Sequence, residues 1–304
     1  MKLFDLHCDT LDKISKFGGN LEKSPATVSL DSMRQYEKCV RCFAVWTDDV
    51  LTEPEANQRF NELYNVFKEQ LSLFGNEITQ ITDKKSLLDG KIGLILTVEN
   101  GAVLNGKLSE IEKLACLGVK MLTLTWNGEN SLGFGQLKNR GLKPFGRECI
   151  PLLEKNGIII DVSHLSDAGF EDVCKVAKKP FAASHSNARS VCNHKRNLTD
   201  QEICEMIRRK CLIGLNLYSG FLNNSPEKAG AVDVLRHAEH ILSLGGENVL
   251  AIGTDFDGGK MVADFDSDYK LVKIEKLFLE NGFSPEITDK ILYKNAEKFF
   301  LDNL

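Results

Sequence analysis

The sequence lacks any apolar run long enough to cross a bilayer, which takes about 18 consecutive residues. It also lacks the apolar core and the small-residue cleavage site of an export signal, because charged residues stand at positions 2 and 5. We therefore expect a cytoplasmic protein without a membrane partner. No stripe of Lys and Arg is present and the net charge is -5, so we expect no nucleic-acid partner.

Cysteine is present, but it gives no sign of a disulfide framework. Nine cysteines are an odd number, scattered through strand-like and helix-like segments, which favours a reduced intracellular protein. The one Cys-x-x-Cys pair, Cys39 and Cys42, lies in an apolar run without a second pair or a nearby histidine. A thiolate zinc site is therefore not expected, and burial of both thiols is favoured over a redox role.

Low-complexity segments, internal repeats and shifts of composition are also absent, so nothing marks a domain boundary. We expect a single domain over residues 1–304. This length is normal for an α/β barrel, which runs to about 250 residues or more.

What the sequence does contain is a series of eight short apolar runs separated by amphipathic segments. The runs are Leu3–Leu6, Cys39–Val45, Ile92–Val98, Val119–Thr125, Gly157–Val162, Phe181–Ala183, Leu212–Leu217 and Val249–Ile252. Most are almost continuously apolar, as parallel strands that are buried on both faces require. Helical patterns lie between most of them, at Glu53–Phe74, Leu108–Leu117, Pro144–Asn156, Ser166–Lys178, Thr199–Arg209 and Val232–Leu244.

Eight strands that alternate with helices predict an α/β fold, a closed (β/α)8 TIM barrel of the metal-dependent hydrolase type. Two further helical patterns, near Tyr269–Asn281 and Pro285–Leu301, predict extra helices at the C-terminal end. An open doubly wound sheet is the structural alternative. No glycine-rich turn of the dinucleotide-binding type supports that alternative.

Ionisable side chains recur directly after the apolar runs, at the strand ends where barrel enzymes place their chemistry. They are His7 and Asp9 after the first run, Glu99 after the third, His164 after the fifth, His185 after the sixth and Asp255 after the eighth. His7 and Asp9 are two residues apart, so they face the same side of a strand. Imidazole and carboxylate groups suit zinc, and other divalent metal ions are the alternative.

Three histidines and two carboxylates are too many for one open zinc site, and they suit two ions about 3.5–4 Å apart. The predicted ligands of the two zinc ions are His7, Asp9, Glu99, His164 and His185. The alternative for Asp9 is a helix N-cap in front of Thr10. The other three histidines do not lie at strand ends, and we expect His237 and His240 on the surface of a helix.

Seven short segments together resemble the membrane (renal) dipeptidase family, which consists of zinc dipeptidases of the amidohydrolase superfamily. The segments are residues 5–10, 97–100, 122–127, 161–164, 184–187, 196–198 and 253–258. They occur in the family's order and span nearly the whole chain. The combination is specific, although no single motif is.

The resemblance implies a metallopeptidase that hydrolyses the peptide bond of dipeptides with a zinc-activated water, and it implies tolerance of a D-residue on the carboxyl side. It assigns His7 and Asp9 to one zinc, His164 and His185 to the other, and Glu99 to the bridging position.

The resemblance also implies the substrate contacts. It assigns the substrate carboxylate to Arg196, with Tyr218 in the same subsite, and both proton transfer and the substrate amine to Asp255. Asp255 and the bridging Glu99 are thus the expected catalytic residues. The alternatives are a surface cation for Arg196 and ordinary core packing for Tyr218.

One position departs from the family. Many members carry a histidine at the end of the fourth barrel strand, where this sequence has Trp126. Trp126 is expected to form an apolar wall of the substrate pocket, with a core tryptophan as the alternative. Two other functions stay open: an amidohydrolase acting on N-acyl amino acids or lactones, and a metal-binding barrel without catalysis. A dipeptide is the expected small-molecule partner, and a homodimer stays open.

Overall fold

Eight parallel strands close into a barrel in the computed structural model, which describes residues 1–304. The strands of the sheet are β1 Leu3–Cys8, β2 Cys39–Trp46, β3 Ile78–Gln80, β4 Ile92–Glu99, β5 Val119–Thr123, β6 Ile159–Asp161, β7 Ala182–Ala183, β8 Leu212–Leu215 and β9 Leu250–Ile252. Neighbours follow the order β2-β1-β9-β8-β7-β6-β5-β4, and pairing of β2 with β4 closes the ring. The predicted (β/α)8 barrel is confirmed.

The ninth strand, β3, was not predicted from the sequence. It pairs with residues 92–94 of β4, before β5 joins the same strand at Leu96. Only Ile78 of its three residues is buried, so no apolar run indicated a strand here. Because β3 lies beside the ring, the barrel still has the eight strands that the apolar runs predicted.

Helices surround the barrel. They are α1 Thr10–Phe17, α2 Leu30–Arg34, α3 Glu53–Phe74, α4 Lys84–Leu88, α5 Ser109–Cys116, α6 Pro144–Lys155, α7 Asp167–Val176, α8 Asp200–Arg208, α9 Ser219–Leu222, α10 Ala231–Ser243, α11 Asp268–Leu271, α12 Lys273–Glu280, α13 Pro285–Asp289 and α14 Asn295–Asn303. A π-helical turn, Lys290–Lys294, joins α13 to α14. At the start of α8, Thr199 and Glu202 form a capping box, which satisfies free backbone N–H groups at both residues. No helix combines the length and the apolarity that a bilayer span requires.

Two layers of apolar side chains hold the barrel together. The inner layer takes at least one side chain from every barrel strand, and Phe299 and Phe300 of α14 pack against it. The larger outer layer lies between the strands and the helices. The Cys-x-x-Cys pair is divided between them, since Cys39 belongs to the outer layer and Cys42 to the inner one. The expectation that both thiols are buried is confirmed.

An irregularity in β1 sets the direction of the first predicted ligand. Phe4 and Leu6 pack in the inner layer, but Cys8, two residues further on, packs in the outer layer. The change of side coincides with a register shift between Asp5 and Cys8 against β2. Strand bulges commonly re-aim a side chain beside an active site. Here His7 lies within the shifted segment, and its ring faces Asp9 and Glu99.

The expectation that His237 lies on the surface is wrong. Its side chain is fully buried on α10, where Nδ1 accepts from the backbone N–H of Ala188 and Nε2 donates to the carbonyl oxygen of Leu222. Both ring nitrogens are therefore satisfied by backbone groups. His240, one turn later, is partly exposed and pairs with Asp200 at 2.8 Å.

Candidate metal centre

The five predicted ligands converge at the carboxyl end of the barrel, and all five are buried. The carboxylate of Glu99 lies between two groups of imidazoles. Its Oε2 is 3.5 Å from Nε2 of His7, and its Oε1 is 2.8 Å from Nε2 of His164 and 3.5 Å from Nε2 of His185. Asp9 lies on the His7 side, with Oδ2 3.4 Å from Nε2 of His7. Glu99 therefore occupies a bridging position between two groups of potential ligands.

The tautomer of His185 is fixed by the residue before it. The hydroxyl of Ser184 donates to Oδ2 of Asp161 at 2.6 Å, so at 2.7 Å from His185 it accepts from Nδ1–H. The lone pair of the ring is then on Nε2, which faces Glu99. Burial lowers the pKa of His185 well below its usual range, so the ring is neutral.

His164 has the same tautomer for a different reason. Its Nδ1 lies 2.9 Å from Oδ1 of Asn127, an oxygen that can only accept. Burial lowers the pKa of His164 to about 4, so this ring is also neutral at neutral pH. Nε2 of His164 and Nε2 of His185 are 3.0 Å apart, each with a lone pair. Two lone pairs at this distance repel each other, and a cation between them would remove the repulsion.

The His7 side of the centre also favours a cation. Nε2 of His7 and Oδ1 of Asp9 are buried and have no hydrogen-bond partner. Burial opposes protonation of His7, but Glu99 and Asp9 outweigh it and hold its pKa well above the usual range. The surroundings therefore stabilise positive charge at this nitrogen. With His164 and His185 neutral, and with a zinc ion able to take the place of the proton on His7, the imidazoles and carboxylates present fit two zinc ions.

The alternative reading of Asp9 as a helix cap is not supported by its contacts. Asp9 does stand at the N-cap position of α1, but its side chain accepts no hydrogen bond from the helix backbone. The carboxylate instead faces His7. Burial raises the pKa of Asp9 to about 7. A carboxylate that is buried without a capping contact is costly unless a cation offsets its charge.

Asp255 lies beside the centre in a loop after β9, and no helix begins there. One ligand atom from each of Asp255, His7 and Asp9 lies within 4.8 Å of the others. Burial raises the pKa of Asp255 to about 6, against the attraction of His7. Asp255 and His164 both have positive φ, of 63° and 67°. Such backbone conformations cluster at functional sites in proteins.

Asn216 is a site residue that the sequence analysis did not identify. Its Nδ2 donates to Oδ2 of Asp255 at 3.0 Å and to the carbonyl oxygen of His185 at 3.2 Å. It therefore holds Asp255 in place beside a potential ligand. A signal was available, because Asn216 is a polar residue inside the apolar run Leu212–Leu217.

Arg196 is buried, and its guanidinium has no carboxylate partner. Its only side-chain hydrogen bond goes to the carbonyl oxygen of His185, at 3.4 Å, and its Nε has no partner. The guanidinium lies over the ring of Phe221, 5.2 Å from the ring centre. Burial lowers the pKa of Arg196 to about 10, so the side chain is a cation at neutral pH. The alternative of a surface cation does not fit this environment, and an unpaired buried cation suits an anionic ligand.

A cavity of about 770 Å³ opens over the centre. Trp126 and Tyr218 both line it, Trp126 with its ring 6.1 Å from that of His164 and Tyr218 with its ring 4.7 Å from that of Phe221. Trp46, which the sequence analysis did not identify, packs edge-on against Trp126. The tryptophan pair thus forms an apolar wall of the cavity.

Gly258 allows the backbone to pass close to two carboxylates. A Cβ at this position would lie 2.3 Å from Oδ2 of Asp9 and 2.5 Å from Oδ1 of Asp255. A neighbouring Cβ at Gly259 would lie 2.5 Å from the ring of Tyr218. Side chains at these two positions would therefore displace groups of the site.

Two buried aspartates support the ligands from behind. Asp5 accepts from the backbone N–H groups of His7 and Thr254, at 3.3 and 2.8 Å, and so ties β1 to the segment that leads to Asp255. Asp161 accepts from the backbone N–H groups of Ser163 and Ser184, at 3.0 and 2.9 Å. It thereby ties the end of β6 to the end of β7. In the sequence, Asp5 and Asp161 each stand as an acidic residue inside a predicted apolar strand.

A sequence model of the membrane dipeptidase family (peptidase family M19) matches residues 1–301. Among curated proteins, an uncharacterized dipeptidase of Schizosaccharomyces pombe is 31% identical over 177 residues. That alignment covers 56% of this chain and 42% of the relative, so the chain matches less than half of that protein's length.

Solved structures share the fold over the full chain. A metallopeptidase from Rhodobacter sphaeroides, liganded with a phosphinate mimic of the dipeptide L-Ala-D-Ala, has a TM-score of 0.92 at 19% identity and covers 100% of this chain and 99% of its own. A dipeptidase of family M19 has a TM-score of 0.94 at 21% identity, with coverage of 100% and 98%. At these identities the likeness supports the barrel fold.

Proposed function

Because this chain belongs to the membrane dipeptidase family, peptidase family M19, as its motifs predicted, we propose that it is a zinc-dependent dipeptidase. It would hydrolyse the peptide bond of free dipeptides with an activated water. The observation that carries the proposal is the position of Glu99. Its two carboxylate oxygens face His7 on one side and the neutral pair of His164 and His185 on the other.

The residues that would hold the metal fall into two sets that share Glu99. His7 and Asp9 form one set, and His164 and His185 form the other. Two bound zinc ions would polarise the peptide carbonyl and lower the pKa of a water molecule towards neutrality. The protein supplies fixed tautomers, because both later histidines donate Nδ1–H away from the centre.

In this proposal Asp255 moves the proton. Its carboxylate is buried beside His7 and Asp9, and burial raises its pKa to about 6 when no metal ion is bound. A general base works best when its pKa lies near the working pH. Asp255 would accept the proton of the attacking water and pass it to the leaving amine. The same carboxylate would attract the free α-amine of the substrate.

Arg196 provides the second end of a clamp. A buried guanidinium without a carboxylate partner is suited to the α-carboxylate of a dipeptide, which it can bind in a bidentate manner. Asp255 at the amine and Arg196 at the carboxylate would together exclude longer peptides. Tyr218 and Phe221 line the cavity, and the guanidinium of Arg196 lies over the ring of Phe221. The dipeptide mimic bound by the Rhodobacter sphaeroides metallopeptidase supports tolerance of a D-residue on the carboxyl side as part of this proposal.

The test is an assay of the zinc-loaded protein with three substrate classes: dipeptides with an L- or D-residue on the carboxyl side, N-acyl amino acids and lactones. Each assay is run with and without a chelator. We expect chelator-sensitive hydrolysis of dipeptides only. Hydrolysis of N-acyl amino acids or lactones in preference to dipeptides would assign the protein to another amidohydrolase activity, and no hydrolysis in any class would contradict the proposal.

A further inference from the structure

Three lysines surround the mouth of the cavity, and we call them the cationic rim: Lys13, Lys16 and Lys260. Lys13 and Lys16 are three residues apart on α1 and therefore lie on the same face of that helix, which begins directly after Asp9. Lys260 lies in the loop that carries Asp255. The backbone thus fixes all three lysines close to residues of the metal centre.

The cationic rim forms no ion pair, since none of its three ammonium groups has a carboxylate oxygen within 4.0 Å. Of the two other acidic side chains at the mouth, only Asp12 has a cationic partner, whereas Asp257 is held by neutral donors. Asp12 pairs with Arg59 at 2.9 Å. Asp257 accepts from the hydroxyl of Thr10 and from the backbone N–H of residue 27, both at 2.8 Å.

The two lysines of α1 are also held near each other. Their Nζ atoms lie 5.8 and 5.7 Å from the centre of one ring, that of Phe17, which is 59% exposed. Attraction to the ring draws both ammonium groups to the same place on α1. Two like charges that share one aromatic ring repel each other, and an anion bound between them would relieve that repulsion.

The cavity has room for a substrate with long side chains. Its volume of about 770 Å³ lies towards the upper end of the range for small-molecule sites, roughly 300–1,000 Å³. In the proposed clamp the main-chain charges of a dipeptide are already engaged, the α-amine by Asp255 and the α-carboxylate by Arg196. The cationic rim is then free to bind a negative charge on a side chain of the substrate.

We propose that the cationic rim makes this protein selective for dipeptides with an anionic side chain, such as those that contain glutamate or aspartate. The inference rests on the proposed dipeptidase function, because the rim acts on a substrate that the centre hydrolyses. One exposed ion pair changes an equilibrium constant by a factor of about 1.4 to 5. Three lysines together are expected to favour an anionic side chain about tenfold over its neutral amide, and the preference should weaken with salt.

The experiment compares kcat/KM for two pairs of isosteric substrates, Ala-Glu with Ala-Gln and Glu-Ala with Gln-Ala. The zinc-loaded full chain is assayed at about 0.01 M and about 0.15 M salt. The rim variant carries Lys13→Gln, Lys16→Gln and Lys260→Gln. The control variant carries Lys113→Gln, Lys276→Gln and Lys298→Gln, three exposed helix lysines away from the cavity that give the same change of net charge.

We expect the parent to have a kcat/KM about ten times higher for the acid than for the amide in at least one pair. This ratio should fall when the salt concentration is raised. In the rim variant it should fall to near one. The control variant should keep the parent's ratio. A parent that hydrolyses both members of each pair equally, or a rim variant that keeps the preference, would overturn the inference and leave the dipeptidase function intact. Failure of the parent to hydrolyse any of the four substrates would contradict that function and the inference with it.

Discussion

The hydroxyl oxygen of Ser184 lies 2.7 Å from Nδ1 of His185, its neighbour in the sequence. The hydroxyl proton is committed to Asp161, so the oxygen can only accept from the ring. Asp161 also accepts from the hydroxyl of Thr123 at 2.6 Å, which joins β5 to β6 and to the segment after β7. Three barrel strands thereby determine which nitrogen of His185 is free to bind a metal ion.

The first prediction follows from this contact. Ser184→Ala should weaken zinc binding about 10- to 100-fold at the site of His164 and His185, because the ring loses the partner that holds its orientation and tautomer. Isothermal titration calorimetry of the metal-free protein with zinc measures the change. The other zinc ion, next to His7 and Asp9, should keep the parent's affinity.

Ser186→Ala is the matched control, since its hydroxyl contacts only that of Ser163, at 3.2 Å, and does not touch the ring of His185. Both variants remove one buried serine hydroxyl next to the same ligand. Equal zinc affinity in the two variants would show that Ser184 does not act through His185.

The second prediction concerns Arg196. Arg196→Met keeps much of the length and the stacking on Phe221 but removes the charge. KM for dipeptides should rise about 10- to 100-fold, because hydrogen bonds to a charged group contribute about 1.5–3 kcal/mol each. Steady-state kinetics with zinc content measured in parallel provides the test, and kcat and metal content should change little.

Dipeptide amides show whether the lost contact is the one proposed. The parent should hydrolyse C-terminally amidated dipeptides poorly, and Arg196→Met should hydrolyse free and amidated forms with similar kcat/KM. If the parent hydrolyses amides as well as free acids, Arg196 does not bind the substrate carboxylate.

The third prediction concerns acid stability and His237. Burial lowers the pKa of His237 to about 4, so at pH values between this and the unfolded value of 6.5 the unfolded state binds more protons. Stability therefore rises with pH across this window and is lost as the pH falls through it. At pH values above 6.5, the lowered pKa of His237 contributes about 3 kcal/mol to the free energy of unfolding, relative to a pH below 4. Urea unfolding of the metal-free protein should show that His237→Gln loses about 2–3 kcal/mol less than the parent between pH 7 and pH 4.5.

The stabilities of the parent and of His237→Gln are first compared at pH 7, where the variant should be less stable than the parent. The amide of glutamine has an acceptor and a donor, but its flexible side chain does not fix them where the two ring nitrogens contact Ala188 and Leu222. An equal loss of stability with acid in the two proteins would show that His237 does not contribute to acid unfolding.

The residues at the strand ends could be predicted from the sequence because two simple rules coincide there. Buried parallel strands are continuously apolar, so a polar residue directly after such a run is conspicuous, and all carboxyl ends of a parallel barrel meet on one side. His7, Glu99, His164 and His185 follow from these rules alone. Glu53–Phe74 was predicted with the observed bounds because it has a clear apolar stripe and a capping signal.

Features that depend on tertiary contacts could not be predicted in the same way. Burial of His237 depends on backbone groups of two other segments, which no local pattern indicates. Arg41 is fully buried in β2 with Asp5 and Asp268 as partners, and Asp268 is 227 residues away. The tautomers at the metal centre likewise come from neighbouring strands, so the sequence predicts the ligands but not their orientation.

The last prediction concerns Asp255, where the structure offers a nearly silent substitution. Asp255 has φ of 63°, a conformation that Asn tolerates well, so Asp255→Asn should not strain the loop. In the parent, Asn216 donates to Oδ2 of Asp255 at 3.0 Å, and the amide oxygen of the new asparagine can accept the same hydrogen bond. Only the basic oxygen and its charge are lost.

If Asp255 moves the proton, kcat of Asp255→Asn should fall by a factor of about 10²–10⁴. Asp257→Asn is the control, since Asp257 lies in the same loop with φ of 70° and its carboxylate is held by Thr10. Zinc content must be measured in both variants, because Asp255 lies close enough to His7 and Asp9 to bind metal itself. Loss of kcat together with zinc would make Asp255 a ligand rather than a base. A zinc-replete Asp255→Asn variant with the parent's kcat would move the base to another group, such as Glu99.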